Sequence, residues 1–186
     1  MTRVETLVQT INLDPLTSDG LILDIGGGGE GLASRIGGER VCAVDIRLSE
    51  IKEAQIHGAP ANWFVGDGQS LSFKDASFDV VTLWFSLGYM REWDIKLRVL
   101  EEVKRVLKEG GEISILACRI PDSAEQFVFW ANFTLPDGSI SQTGYGVRGN
   151  QGQTLKKIVD LLDDLQFKVL KTEDHGEWFS ITATPS

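Results

Sequence analysis

Short apolar runs alternate with amphipathic segments over the first two thirds of the chain. The runs carry Val, Ile, Leu or Phe at consecutive positions and end at glycine or polar residues, a pattern typical of strands buried on both faces of a sheet. Helical segments lie between the runs, so the sequence predicts an α/β fold with a parallel sheet covered by helices on both faces. The predicted strands are 21–25, 41–46, 62–65, 78–85 and 113–117.

The helices are predicted from apolar positions that recur along one side of a segment. Residues 94–107 give the clearest pattern, and Glu109-Gly110-Gly111 is expected to end that helix. A helix over 49–57 is expected to begin at Ser49 as its N-cap and to end at Gly58. The other helical segments are 31–36, 154–165 and, as a short amphipathic helix before Asp14-Pro15, 4–12.

The last third of the chain departs from this alternation. Two β-prone runs, 127–135 and 140–147, flank Pro136-Asp137-Gly138-Ser139, which predicts a β-hairpin. Two further strands, 167–172 and 177–184, are joined by a tight turn and are therefore expected to be antiparallel to each other. Because no linker or repeat interrupts the chain, residues 1–186 are interpreted as a single domain.

Composition narrows the classes of partner. The formal net charge is −9, and no cluster of Lys and Arg stands out beyond the helical scatter around 96–108. Nucleic acid and membrane surfaces are therefore not expected partners. Neither a run of eighteen apolar residues nor a signal peptide is found, which favours the cytoplasm. Cys42 and Cys118 lie in strand-like runs outside any Cys/His cluster, so we expect buried thiols and no metal site.

The stretch LILDIGGGGEG, at 21–31, carries the first candidate chemistry. A strand that runs into glycines and then a helix allows a ligand to approach the main chain and the helix N–H groups. Gly26, Gly28 and Gly31 match the spacing GxGxxG of dinucleotide sites, which is a weak signal alone. Asp45 lies 19 positions after Gly26, where both dinucleotide and S-adenosylmethionine (SAM) sites use a carboxylate for the ribose hydroxyls.

Two carboxylates indicate whether a dinucleotide or SAM is the expected ligand. Asp24 lies two residues before Gly26, where it would repel a pyrophosphate but suits a ligand that carries an ammonium and a sulfonium. Asp67, between Gly66 and Gly68 after the third strand, supplies an acceptor for an adenine amino group. The residues therefore favour SAM, and binding of a nicotinamide dinucleotide is not expected.

The ordered motif set resembles the class I SAM-dependent methyltransferases, in particular a group of small methyltransferase-like proteins. The motifs are LDIGGGG, AVDI, VGDGQSLSF, FDVVTLWFSLGYM and EEVKRVLKEGGEISIL, spanning 21–117, together with QTGYGV at 142–147. The resemblance implies a three-layer Rossmann-like fold. Its mostly parallel sheet has seven strands in the order 3-2-1-4-5-7-6, with the seventh antiparallel. The predicted hairpin is then an insertion after strand 5.

The resemblance also implies the cofactor-binding residues. Asp24 belongs to the polar network near the methionine ammonium, Asp45 binds the ribose hydroxyls, and Asp67 accepts from the adenine amino group. Ile46 lies against the adenine, and Trp84 lines the methionine side. The full set is Asp24, Gly26, Gly27, Gly28, Asp45, Ile46, Asp67, Gly68 and Trp84.

One position departs from the family. Its usual third glycine falls at position 30, which is Glu30 here, followed by Gly31. Glu30 is interpreted either as part of a differently wound loop or as a favourable charge in the first turn of a helix.

Methyl transfer from SAM to a small molecule is the expected activity. A SAM- or nucleoside-binding module without catalysis and a dinucleotide-dependent reductase are the alternatives. No residue pattern identifies a catalytic base or an oligomeric state. Three hairpin aromatics, Trp130, Phe133 and Tyr145, are expected either to pack the hairpin onto the sheet or to line the acceptor pocket.

Overall fold

The protein is described by a computed structural model that covers residues 2–148 and 152–186. Eleven strands are present in these ranges: β1 Arg3–Glu5, β2 Gln9–Asn12, β3 Ile22–Ile25, β4 Val41–Asp45, β5 Asn62–Val65, β6 Phe78–Trp84, β7 Leu107–Cys118, β8 Gln126–Thr134, β9 Ile140–Arg148, β10 Phe167–Asp174 and β11 Trp178–Pro185. The α-helices are α1 Leu32–Gly37, α2 Leu48–Ile56, α3 Trp93–Val106 and α4 Leu155–Asp164, and short 3₁₀ turns lie at Gly38–Arg40 and Leu87–Tyr89.

Seven strands form the central sheet, in the order β10-β11-β7-β6-β3-β4-β5. Neighbouring strands from β7 to β5 are parallel, and β11 is antiparallel to both β7 and β10. Numbered within this sheet alone, the order is 3-2-1-4-5-7-6. The predicted strand order and the antiparallel seventh strand are therefore confirmed.

The main hydrophobic core lies between the sheet and the helices α3 and α4. All four residues of β3 are buried, as expected for a central strand with both faces covered. Val99, Leu100 and Val103 of α3 pack against this face of the sheet together with Ile158 and Leu162 of α4. Each such side chain contributes roughly 1.5–3 kcal/mol when it is removed from water.

A second sheet covers the carboxyl end of β7. Strand β8 pairs with β1 and β2 on one side in parallel and with β9 on the other side antiparallel. The predicted hairpin is therefore confirmed as β8 and β9. Its inward side chains Phe127, Phe129 and Phe133 are buried in a second core with Ile11 and Phe85.

The helix predicted over 4–12 is wrong, because this segment forms β1 and β2. Its alternating Val4, Thr6, Val8 and Thr10 supply the β-branched side chains that strands favour. The partner strand β8 lies more than one hundred residues later, so the local pattern does not reveal it.

Two predicted helix boundaries also need correction. The helix predicted from Ser49 begins one residue earlier, after Arg47, and no side chain caps it. The helix predicted to stop at Glu109-Gly110-Gly111 ends at Val106, since the chain turns directly into β7. Gly110 has a φ of 73°, which permits the irregular start of that strand. Within the described ranges, every helix is too short or too polar to cross a bilayer.

Both thiols are expected to be free in the purified protein. Cys42 lies on β4 and Cys118 at the end of β7, with β3 and β6 between the two strands. At ~4.8 Å per strand the two positions are about 14 Å apart, beyond the ~7 Å that a disulfide allows between Cα atoms. Thiol titration of the denatured, unreduced monomer should give two thiols per chain, and a count of none would contradict this strand order.

Candidate functional site

A cavity of about 540 Å³ opens at the carboxyl ends of the central strands. The loops after β3, β4, β5 and β6 form its floor and sides, and residues 143–145 of β9 form the opposite wall. Strands β3 and β6 are neighbours although they are distant in sequence, so the cavity lies where the strand order reverses. Ligands of open α/β sheets bind at this position.

The glycine loop after β3 follows a path that explains Glu30. Gly29 and Gly31 have φ values of 71° and 59°, whereas Glu30 avoids the left-handed region. The two flanking glycines adopt the left-handed conformation, so a side chain is tolerated between them. Gly31 is the N-cap residue of α1, which begins at Leu32, so Glu30 lies before the helix and the interpretation of Glu30 as a first-turn charge is wrong. A differently wound loop stays a prediction.

Asp24 is a buried carboxylate at the end of β3. Its Oδ1 accepts a hydrogen bond of 2.7 Å from Thr82 Oγ1 on the neighbouring strand β6. A Cβ atom added to Gly27 would lie 2.2 Å from Asp24 Oδ2, so the loop passes directly over the carboxylate. The pKa of Asp24 is raised to about 7. Burial is the largest cause, the Thr82 hydrogen bond acts in the opposite direction, and the nearby Asp45 charge adds to the increase.

Asp45 is held in one orientation at the end of β4. Its Oδ2 accepts from Gly28 N at 3.1 Å, and its Oδ1 accepts from Arg47 N at 2.9 Å. Each carboxylate oxygen retains a second acceptor site. The fixed carboxylate can therefore accept two further hydrogen bonds, which is the arrangement that a pair of ribose hydroxyls needs.

The remaining predicted residues occupy the other side of the cavity. Asp67 is exposed, and its Oδ1 accepts from Gln69 N at 2.9 Å, so it also shapes the turn after β5. Gly68 lies close to Ile25, where a Cβ would approach within 2.9 Å. Trp84 Nε1 donates to Ser114 Oγ at 3.0 Å, which leaves the indole as an apolar wall. The structure brings all nine predicted cofactor residues, including Gly26, Gly27 and Ile46, to this one cavity.

Sequence reasoning missed several lining residues in the segment after β6. Ser86 is buried, and its Oγ has no hydrogen-bond partner among the described residues. Phe85 has a φ of 59°, a strained value for a non-glycine residue and typical of functional sites. Burial raises the pKa of Tyr89 to about 12, and the Arg47 guanidinium lies 5.8 Å from its ring centroid. The aromatic and polar types of this segment were visible in the sequence, but their orientation was not.

A buried lysine holds this segment in place. Lys96 of α3 is buried, although the helical pattern predicts that only the apolar residues of α3 face the core. Its Nζ donates to the Met90 carbonyl and lies 5.0 Å from the Trp93 ring centroid. Burial lowers the pKa of Lys96 to about 8. This contact anchors the turn that carries Tyr89 into the cavity.

Of the three hairpin aromatics, Tyr145 lines the cavity. Its ring stacks on Phe85 with a centroid distance of 5.1 Å and an interplanar angle of 10°. Phe133 is buried in the second core, whereas Trp130 lies on the outer face and donates from Nε1 to Glu5 Oε2 at 3.0 Å. Tyr145 therefore lines the pocket and Phe133 packs in the core as expected, whereas both roles expected of Trp130 are wrong.

Glu30 joins the glycine loop to the hairpin. Its carboxylate accepts a hydrogen bond from the buried Ser141 hydroxyl of β9. Desolvation and then the Glu30 charge raise the pKa of Tyr145 well above its usual value. Potential metal-ligand atoms of Glu30, Glu53 on α2 and His57 directly after α2 lie within 4.8 Å of one another. Glu53 and His57 are exposed, and nothing further among the described residues indicates a metal ion here.

Comparison with known proteins identifies the family and supports the fold. A family described as a methyltransferase domain matches residues 23–115, which contain the glycine loop, Asp45, Asp67 and Trp84. The chain belongs to the SAM-dependent methyltransferases.

Curated relatives share the central part of the chain. The chain is 34% identical over 87 residues to the human mitochondrial 2-methoxy-6-polyprenyl-1,4-benzoquinol methylase. This match covers 44% of the chain and 26% of the relative. The chain is 33% identical over 103 residues to a ubiquinone/menaquinone biosynthesis C-methyltransferase of Rubrivivax gelatinosus, which covers 54% of this chain and 40% of the relative. The chain thus spans well under half the length of these relatives.

A solved structure supports the fold over nearly the whole chain. A SAM-dependent methyltransferase of Methanosarcina mazei superposes with a TM-score of 0.68 at 22% identity, covering 94% of this chain and 99% of that protein. At this identity the likeness concerns the fold alone.

We expect the affinity for S-adenosylhomocysteine (SAH) to fall with pH below neutrality. The ammonium of SAH should prefer an ionised Asp24, whose pKa is about 7 in the unliganded protein. The ionised fraction then drops about tenfold between pH 8 and pH 6, and the apparent affinity should fall by about the same factor. Calorimetric titration at several pH values measures this change.

Asp24→Asn is the matched variant, because the amide can still accept from Thr82. It should bind SAH weakly at all pH values and lose the pH dependence. A wild-type affinity that is flat from pH 6 to pH 8 would contradict the placement of the ammonium at Asp24.

Proposed function

We propose that the protein transfers the methyl group of SAM to a small-molecule acceptor within this cavity. The single observation that carries the proposal is that one cavity joins a wall suited to SAM to a wall suited to a second ligand. The glycine loop and the acidic strand ends form one wall, and the aromatic hairpin forms the other. A volume of about 540 Å³ lies in the range of small-ligand sites. The quinone methylases among the relatives act on small molecules, which fits the same interpretation.

The residues of the cavity fit SAM. Asp24 is buried beneath the glycine loop and would bind the ammonium, whereas the fixed Asp45 would bind the ribose hydroxyls. Asp67 would accept from the adenine amino group, with Ile46 against the adenine ring. Bound SAM supplies an electrophilic methyl group on a positively charged sulfur, which the acidic lining attracts.

The protein contributes position and exclusion of water rather than a strong chemical activator. An acceptor placed between the glycine loop and Tyr145 would face the methyl group from the hairpin side. Residues 143–145 cover that side, and the second core under the hairpin makes this wall firm. Holding two reactants in contact and excluding solvent can account for a large part of the rate of such a displacement.

A non-catalytic binding module is the second candidate, and it rests on the irregular third glycine and on the absence of an identified catalytic base. The first point is weakened because Glu30 stands between two glycines with positive φ and needs no left-handed conformation itself. Turnover of an acceptor is the measurement that separates the module from the enzyme.

SAM and SAH should bind in calorimetry, and NAD should not. Asp45→Ala should weaken SAH binding by about 2 kcal/mol, because two charge-assisted hydrogen bonds to the ribose are lost. Mass spectrometry of a co-purified ligand and release of SAH in the presence of a small-molecule extract test the reaction itself. Binding of NAD without a response to either SAM-type ligand would refute the proposal, and an unchanged affinity in Asp45→Ala would remove Asp45 from the site.

Tyr145 and Trp130 should differ in their effects, although both are hairpin aromatics. Tyr145→Ala should keep SAH affinity within about threefold and lower turnover about tenfold or more, because the acceptor side is then open to water. Trp130→Ala should lower the free energy of unfolding by about 1–2 kcal/mol and leave turnover per folded chain unchanged. Thermal unfolding and steady-state kinetics give the two readouts. Equal loss of turnover in both variants would show that the hairpin acts only as a structural unit.

A further inference from the structure

Negative charge dominates the cavity lining. Arg47 is its one cation among the described residues, and it is already engaged by Glu50 at 3.6 Å and by the Tyr89 ring. An acceptor with a carboxylate or phosphate near the reacting atom would therefore meet repulsion without a compensating cation. The carboxylates that line the cavity are Asp24, Glu30, Asp45, Glu50, Glu53 and Asp67.

Glu30 is the carboxylate that faces the hairpin. The proposed function assigns Asp24, Asp45 and Asp67 to SAM, and Glu50 lies beside Arg47. Glu30 instead accepts from Ser141 of β9, the strand that also carries Tyr145, on the side where the acceptor must lie.

Ser86 adds a second, independent indication of a polar ligand group. The residue is 5% exposed and lines the cavity, and its hydroxyl has no partner among the described residues. A buried hydroxyl without a hydrogen bond costs free energy, so a ligand group that satisfies it is favoured. Ser86 Oγ lies 3.4 Å from the position that a Cβ atom on Gly26 would take, so the hydroxyl lies where the segment after β6 meets the start of the glycine loop, in the same cavity as Tyr145.

The phenol of Tyr145 shows how the acidic cavity affects the ionisation of a hydroxyl group. Burial, followed by the Glu30 charge, raises the pKa of its phenol well above the usual value. An acceptor that must lose a proton from oxygen would develop negative charge among the carboxylates that line the cavity, which repel it. An amine gains instead, because positive charge develops on nitrogen as it attacks, and nearby carboxylates stabilise that charge.

We propose that the acceptor is an amine, bound by the Glu30 carboxylate and the Ser86 hydroxyl, an inference that rests on the proposed methyl transfer. The amine nitrogen uses its lone pair to form the new N–CH₃ bond. The CH₃–S bond breaks, and its electron pair stays on the sulfur of SAH. The proton that the methylated nitrogen then releases passes to the Glu30 carboxylate.

Sinefungin tests this inference without knowledge of the natural acceptor, because it carries an amine where SAM carries the transferable methyl group. Wild-type protein should bind sinefungin at least about tenfold more tightly than SAH. Glu30→Gln keeps an acceptor for Ser141 but removes the charge, and it should reduce this preference about tenfold while SAH affinity stays within twofold. Ser86→Ala should reduce the preference about threefold. Calorimetry gives both dissociation constants for each variant.

Glu101→Gln is the matched control, since it removes the same charge from an exposed position of α3 outside the cavity and should leave the preference unchanged. Equal affinity of the wild type for sinefungin and SAH would overturn the amine inference and leave the proposed function standing. A preference that Glu30→Gln does not alter, or that Glu101→Gln alters equally, would do the same. Failure of SAM, SAH and sinefungin to bind would refute the proposed function itself. Should Glu30→Gln fail to fold, the wild-type ratio and Ser86→Ala decide.

Discussion

The parallel pairing of β6, β3 and β4 is the constraint on which the site depends. Its register places Asp24 opposite Thr82 on one side and Ala43 on the other. The pairing therefore buries one carboxylate with one hydroxyl partner at the end of a strand that is otherwise apolar. It also brings the loops after all three strands to one edge, where Gly28 can donate to Asp45. The cavity lies between these loops, at the strand ends that the pairing brings together.

The central sheet could be predicted from sequence because its signals are local. Each buried strand carries its own apolar run, and the glycines, Asp45 and Asp67 follow those runs directly. The second sheet could not be predicted in the same way. Strand β2 has a single buried apolar residue, Ile11, and its pairing with β8 depends on a contact between distant segments. The burial of Lys96 could not be predicted for a related reason. A helical pattern does not show that the ammonium will donate to a backbone carbonyl outside the helix, which here is that of Met90.

The hairpin is bound to the glycine loop as well as to its own core. Besides the contact between Glu30 and Ser141, Arg35 of α1 donates to Ser139 Oγ at 3.3 Å in the hairpin turn. The acceptor wall and the proposed cofactor loop therefore share hydrogen bonds, and a shift of one displaces the other. Position 30 acquires its significance here, since a glycine could not make this connection.

The same carboxylates that suit a cationic ligand weaken the unliganded fold. The folded-state pKa of Asp24 is about 7, above the ordinary value of an unfolded aspartate. Its contribution to stability is therefore complete at low pH and is lost as the pH rises through about 7, where the buried charge forms close to Asp45. A bound ammonium offsets this repulsion only in the folded state, so ligand binding stabilises the fold by mass action. The ionised Asp24 that would bind an ammonium thus destabilises the unliganded protein, and ligand binding offsets this loss of stability.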